Sequence, residues 1–228
     1  SKGKLVRKKS SKGKLVRKKS SKGKLVRKKS SKGKLVRKKS SKGKLVRKKS
    51  SKGKLVRKNY PEFKPNLSPR QIFKLGSFGG TYWRPIYSSI TKKKYKNQHE
   101  KYPESWWEGI DENKLVRKWE DYDVNINKYK VRVGTTLEFW ESKKWITEHN
   151  PYGWVQWYCD FYKGKRGPDD ERQVKRWVKT AGPNSRFRKR LINLIKEKGT
   201  TYDDFSVSPK IRQTLQHWGY KLTKSDMD

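Results

Sequence analysis

Residues 1–50 are one decapeptide, SKGKLVRKKS, written five times without change, and a sixth copy begins at Ser51 and ends as SKGKLVRK at Lys58. That period decides what the segment can fold into. At ~100° per residue, a ten-residue repeat advances the Leu-Val pair by about 280° per copy, so no apolar stripe forms along a helix. Gly3 and its equivalents, with paired serines at each junction, lower helix propensity further. An extended chain fares no better, because Leu and Val point to opposite faces and like charges line up side by side. With no aromatic residue and one Leu-Val pair per copy, there is too little apolar surface to offset the entropy of ordering the chain. Residues 1–58 are expected to be a disordered polycationic tail, followed by a domain over 59–222 and a short C-terminal tail at 223–228.

Charge divides at the same place. The tail holds 29 Lys and Arg and no acid, whereas the other 170 residues hold 34 against all 21 acids, a net +13. Lys2, Lys4, Arg7, Lys8 and Lys9 form the first cationic block, and blocks of like charge act as interaction arms. A duplex presents one phosphate per ~1.7 Å, so the tail neutralises at most roughly 50 Å of DNA, reading charge and not bases. An anionic membrane surface or an acidic polysaccharide would also satisfy it, and a solubilising or targeting extension is the plainest alternative. Lys/Arg-rich segments fit nuclear localisation equally well. Ser10, Ser20, Ser30, Ser40 and Ser50 each close an R-x-x-S element resembling basophilic kinase sites, where five phosphates would remove about a third of the charge. Serine as a polar spacer explains them too. A chain opening on Ser1 has either lost an initiator Met or once carried the array further upstream.

All ten Trp, twelve Tyr and seven Phe lie beyond the repeats, in a length that suits one domain with a real core. No run approaches the ~20 apolar residues that span a bilayer, and no secretory signal opens the chain. The single Cys159 excludes an internal disulfide and gives a slight lean to a reducing compartment.

Helix punctuation is plain. Ser68-Pro69-Arg70-Gln71 offers a cap, a Pro at the first position and a capping-box Gln, with Gly76 as the stop. Further helices are expected from Thr135 or Thr136 through Trp145, from Pro151 to Tyr162, from Asp169 to Thr180, from Ser185 to Lys198 and after Ser208-Pro209. Tyr129 to Val133 alternates like a strand, and Tyr82 to Tyr87 is a candidate extended segment. The fold class expected is mainly α: a compact, Trp-rich helical domain with little β.

Four stretches carry a resemblance: GSFGGTYWRPIY at 76–87, LEFWES at 137–142, PYGW at 151–154 and RQTLQHW at 212–218. Together they resemble an uncharacterised family found in fungi, algae and large DNA viruses. The likeness covers roughly residues 60–222, implies a shared fold and carries no activity with it; the repeat tail lies outside it.

Between Lys163 and Arg190 stand eleven Lys or Arg and three acids. Arg172, Lys175, Arg176 and Lys179 fall at i, i+3, i+4, i+7, opposite Val174, Trp177 and Val178, and Arg186, Arg188, Lys189 and Arg190 follow in the next helix. Lys165 and Arg166 precede both. The pair has the outline of a helix-turn-helix, with phosphate contact a stronger expectation than groove reading, and a solvated αα-hairpin is the plain alternative. Trp83, Arg84 and Trp107 are candidates for an aromatic or phosphate contact; Arg84 stacking on Trp83 would be structural. The Gly76–Thr81 turn lacks the Lys-Ser/Thr of a P-loop. Lys114-Leu115-Val116-Arg117-Lys118 repeats the tail's K-L-V-R-K inside the domain.

His99, His149 and His217 are scattered and no zinc spacing exists, so no metal and no cofactor are expected. The expected function is non-enzymatic binding of nucleic acid, DNA first, through backbone phosphates, for compaction or packaging in a nucleus, viral factory or virion. One alternative is a metal-dependent nuclease tethered by its tail, with Glu112-Asn113-Lys114 or Glu141-Ser142-Lys143 as its E-x-K element. Another is a scaffold protein bound to a different polyanion.

Overall fold

A computed structural model describes residues 60–228. The tail cations and Ser10, Ser20, Ser30, Ser40 and Ser50, with the expectation of disorder, lie outside the described residues. Within 60–228 the chain is 44% helical with 4% in strands, so the domain is mainly α. Among these residues no helix is long and apolar enough to cross a membrane.

Helix α1, Pro69–Lys74, carries the expected capping box: Ser68 Oγ accepts the Gln71 N–H, and the Gln71 side chain accepts the Ser68 N–H. A two-stranded antiparallel hairpin follows, β1 (Ile86–Ser88) and β2 (Lys93–Tyr95), in register Ile86 opposite Tyr95. Short 3₁₀ turns lead to α2, Leu137–Ser142, capped by Thr136. This helix is shorter than expected. Lys144 is left-handed, and the chain folds back so that the Trp145 N–H donates to the Trp140 carbonyl. Helix α3, Trp154–Tyr162, starts three residues later than expected because Gly153, at φ +82 and ψ −148, is outside the helical region.

Helices α4 (Asp170–Ala181), α5 (Arg186–Lys198) and α6 (Pro209–His217) complete the domain, with α5 packed on both neighbours. Ser185 caps α5 and left-handed Gly199 ends it. Pro209 opens α6 as expected, but Ser208 is left-handed and its side chain makes no cap.

The core is aromatic. Phe63 is buried among Trp157, Tyr158, Phe161 and Trp177, all with ring centroids within 5.7 Å, mostly edge-on, the arrangement the ring quadrupole favours. The internal K-L-V-R-K is part of this fold: Leu115 is buried, and its carbonyl accepts the Trp83 N–H at 2.8 Å.

Two expectations need correction. Tyr129–Val133 forms no strand, because Lys130 is left-handed and the segment is held by side chains: Gln213 accepts the Tyr129 N–H, and Asn127 donates to the Val131 carbonyl. Residues 223–228 are not a free tail either. Asp226 accepts from the Tyr220 hydroxyl and the Thr223 N–H and forms a buried ion pair with Arg188 of α5.

Candidate nucleic-acid interface

The basic stretch 163–190 separates into two populations. Arg172 grips Asp169 through Nε at 2.5 Å and Nη2 at 2.8 Å. Burial works to raise the Asp169 pKa, but the hydrogen bonds and charge of Arg172, with Gln173 and Thr147, bring it below the usual carboxylate value. Arg176 donates to the Trp145 carbonyl at 3.0 Å and to Gln173 at 2.9 Å. Burial, then repulsion from Arg172, lowers its pKa to about 10, so it stays charged at neutral pH. Arg188 is committed to Asp226 and stacks on Tyr220 at 4.3 Å. Arg166 lies 3.8 Å from the centroid of Phe161 and donates to its carbonyl, and Lys165 pairs with Asp160 at 2.9 Å. Arg172, Arg176 and Arg188 hold the fold together, whereas Lys165 and Arg166 are exposed and their contacts contribute little.

The second population faces water. Lys179, Arg186 and Lys189 are exposed and make no ion pair among the described residues. Arg190 approaches Glu197 only to 3.8 Å and Lys175 pairs with Glu171, but all four side chains are exposed, where such pairs contribute little. Helix α5 opens Arg186-Phe187-Arg188-Lys189-Arg190 with no acid in its first turn. A further exposed run, Lys92-Lys93-Lys94, spans the end of the hairpin turn and β2, with Lys96 just after the strand. The visible signal was the K-K-K-Y-K string itself.

The aromatic candidates resolve differently. Trp83 is fully buried at 0% exposure, so it offers no face to a ligand. Trp107 is half-buried, with its indole N–H given to the His99 carbonyl at 3.0 Å. Trp83 is therefore a packing residue, a correction that follows from its complete burial, while Trp107 packs against the core and keeps part of its surface exposed. Arg84 stacks on Trp119 at 5.1 Å and not on Trp83.

Arg84 and Arg176 both line a cavity of about 260 Å³. The stretches 76–87, 137–142, 151–154 and 212–218 all contribute to its wall, through Arg84, Trp140, Trp154 and Trp218 among others. No Asp or Glu lines it. Trp145, 42% exposed, and Phe139, 40% exposed, stand at its rim in edge-on contact at 5.7 Å. The sequence does not reveal this rim, because its spacing predicts one helix through Trp145.

Acid–base groups at this site are limited. His217 lines the cavity, but burial lowers its pKa to about 3 and its Nε2 accepts the Phe78 N–H, so it is neutral and engaged. Burial raises the Cys159 thiol well above its ordinary value. Glu141 is buried and accepts from Ser88 Oγ, Ser89 Oγ and the Ser89 N–H, bracing the hairpin. Glu112 is exposed in a 3₁₀ turn. Among the described residues no cluster of three His, Cys, Asp or Glu is placed to hold a metal ion. Comparison of the chain with family models, curated proteins and solved structures finds no match.

Proposed function

We propose that the protein binds nucleic acid, DNA first, as a binding protein rather than an enzyme, with compaction or packaging as the consequence and the nucleus, a viral factory or the virion as its setting. The first turn of α5 is the observation that carries this reading. A helix N-terminus bears about half a positive charge, so cations there cost roughly 0.3–1 kcal/mol each. Helix stability alone would place acids at Arg186 and Lys189. A phosphate at that end reverses the balance, being attracted by the dipole, the free N–H groups and the side chains together. Lys179, at the end of α4, extends the same exposed charge. The repeat tail then adds charge-driven affinity without base reading.

A salt series tests the reading. The full chain and a chain starting at residue 59 are titrated with duplex DNA, and log K is plotted against log salt. The full chain is expected to bind more tightly with a steeper slope, by ~0.9 per additional phosphate neutralised. Equal slopes would remove the tail from the interface, and heparin bound in preference to DNA of equal charge would favour a different polyanion.

A further inference from the structure

We propose that the cavity shared by Arg84 and Arg176 receives one unstacked nucleobase, with an adjoining phosphate held by the two guanidinium groups. The occupant's identity rests on the nucleic-acid reading; the chemistry of the site stands by itself. Its walls offer π faces: Trp119 under Arg84, and Trp145 and Trp218 under Arg176 at 5.7 and 5.3 Å. An aromatic enclosure can also take an ammonium ion. Here two arginines and no carboxylate line the wall, which disfavours a cation and favours an anion.

Hydrogen-bonding capacity points the same way. Arg84 donates through Nη1 to the Thr81 carbonyl, and Arg176 spends Nη1 on Trp145 and Gln173. Among the described residues no acceptor meets Nε or Nη2 of either guanidinium, so two immobilised cations keep donors in reserve. Deeper in the wall, the Trp154 ring is 7% exposed and its indole N–H is buried without an acceptor. Such a donor costs about 1–3 kcal/mol while unmade, but it is closed off from the cavity and is not offered to an occupant. Flat rings for stacking and two arginines with free donors for a phosphate together describe a nucleotide. The volume lies below the ~300 Å³ where drug-sized pockets begin, so it suits a single ring system and excludes a duplex.

The nucleotide can belong to a single strand or be free, and the two sources are separable. The full chain is titrated with a short oligodeoxythymidylate and with an abasic oligomer of equal length and charge, and separately with dTMP and deoxyribose 5-phosphate, following tryptophan fluorescence. Tighter binding of the base-bearing oligomer, by about tenfold, is expected, since one stacked base contributes that much. Trp145→Ala should abolish the preference and Trp145→Phe should keep most of it. If dTMP beats deoxyribose 5-phosphate while the oligomers bind alike, the site takes the same chemistry from a free nucleotide. Equal binding of both oligomers and of both small ligands overturns the cavity proposal and leaves nucleic-acid binding standing. Retention of the preference in Trp145→Ala places the base elsewhere and overturns it as well. Failure of both oligomers to bind overturns the underlying reading too.

Discussion

The imidazole of His217 lies flat against Phe78, with ring centroids 3.8 Å apart and planes 18° apart, and its Nε2 accepts the Phe78 backbone N–H at 3.0 Å. This contact joins the last turn of α6 to the Gly-Ser-Phe-Gly-Gly turn that leads toward the cavity. Accepting an N–H requires a free lone pair, so protonation of Nε2 breaks the bond and places a charge in a buried site.

Acid should therefore destabilise the domain through this residue. Its folded pKa is lowered by burial to about 3, against ~6.5 in the unfolded chain. Between those values the unfolded state binds more protons, so stability is full above ~6.5 and falls as pH drops toward 3, at no more than ~1.4 kcal/mol per unit. Asp169 and Asp226, whose pKa values are also lowered, act only below the ordinary carboxylate range. Urea midpoints across pH 4.5–6.5 should decline in the wild type and flatten in His217→Gln. An identical decline in the variant would exclude His217 as the titrating group.

The C-terminal clasp makes a second test. The Arg188 and Asp226 side chains are only 12% and 4% exposed, and the Arg188 Nε already lacks an acceptor. Breaking a buried pair on one side costs ~3–5 kcal/mol because the other charge is stranded. Asp226→Asn should lower stability by about 3 kcal/mol, and Arg188→Met with Asp226→Leu should recover much of it. A chain ending at Leu222 with an unchanged melting temperature would show that the clasp contributes nothing.

Gly76 is a third. Its φ is +93, and an added Cβ would lie far inside van der Waals contact with the Ile126 carbonyl oxygen. Its own carbonyl accepts from the Lys128 N–H and from Gln216 Nε2 at 2.8 Å, so the turn cannot shift without breaking those bonds. Gly76→Ala is expected to cost more than ~2 kcal/mol, the strain of the left-handed region plus the clash, read as a fall in urea midpoint.

Local signals in the sequence carried most of the helical frame. Ser68, Thr136, Ser185 and Gly199 mark the ends they were expected to mark, because caps and stops act within one turn. The errors arose where distant partners decide. Tyr129–Val133 alternates like a strand, yet Gln213 accepts its N–H from 84 residues away. Asp226 reads as part of a polar tail, yet Arg188 and Tyr220 bury it. At the candidate site, the i, i+3, i+4, i+7 stripe was legible and its division was not: whether an arginine faces solvent depends on the carbonyl of Trp145 and on Asp169, which spacing alone cannot position.

That division supplies the last prediction. Arg172 and Arg176 converge on the Trp145 carbonyl, at 3.5 and 3.0 Å, and fasten the turn after α2 to α4. Replacing both with Gln should lower the melting temperature, since a partly buried Asp169 loses its partner. Replacing Lys179, Arg186, Lys189 and Arg190 with Gln removes only exposed cations, two of them opposed to the α5 dipole, so stability should hold or rise slightly. In a chain starting at residue 59, this second variant should bind all duplex sequences more weakly, with a salt slope shallower by up to ~0.9 for each cation that meets a phosphate. Phosphate contacts position without reading bases, so the loss should be uniform across sequences. If instead the slope is unchanged and Lys92→Gln, Lys93→Gln and Lys94→Gln together reduce it, the interface lies on the hairpin and not on α4 and α5.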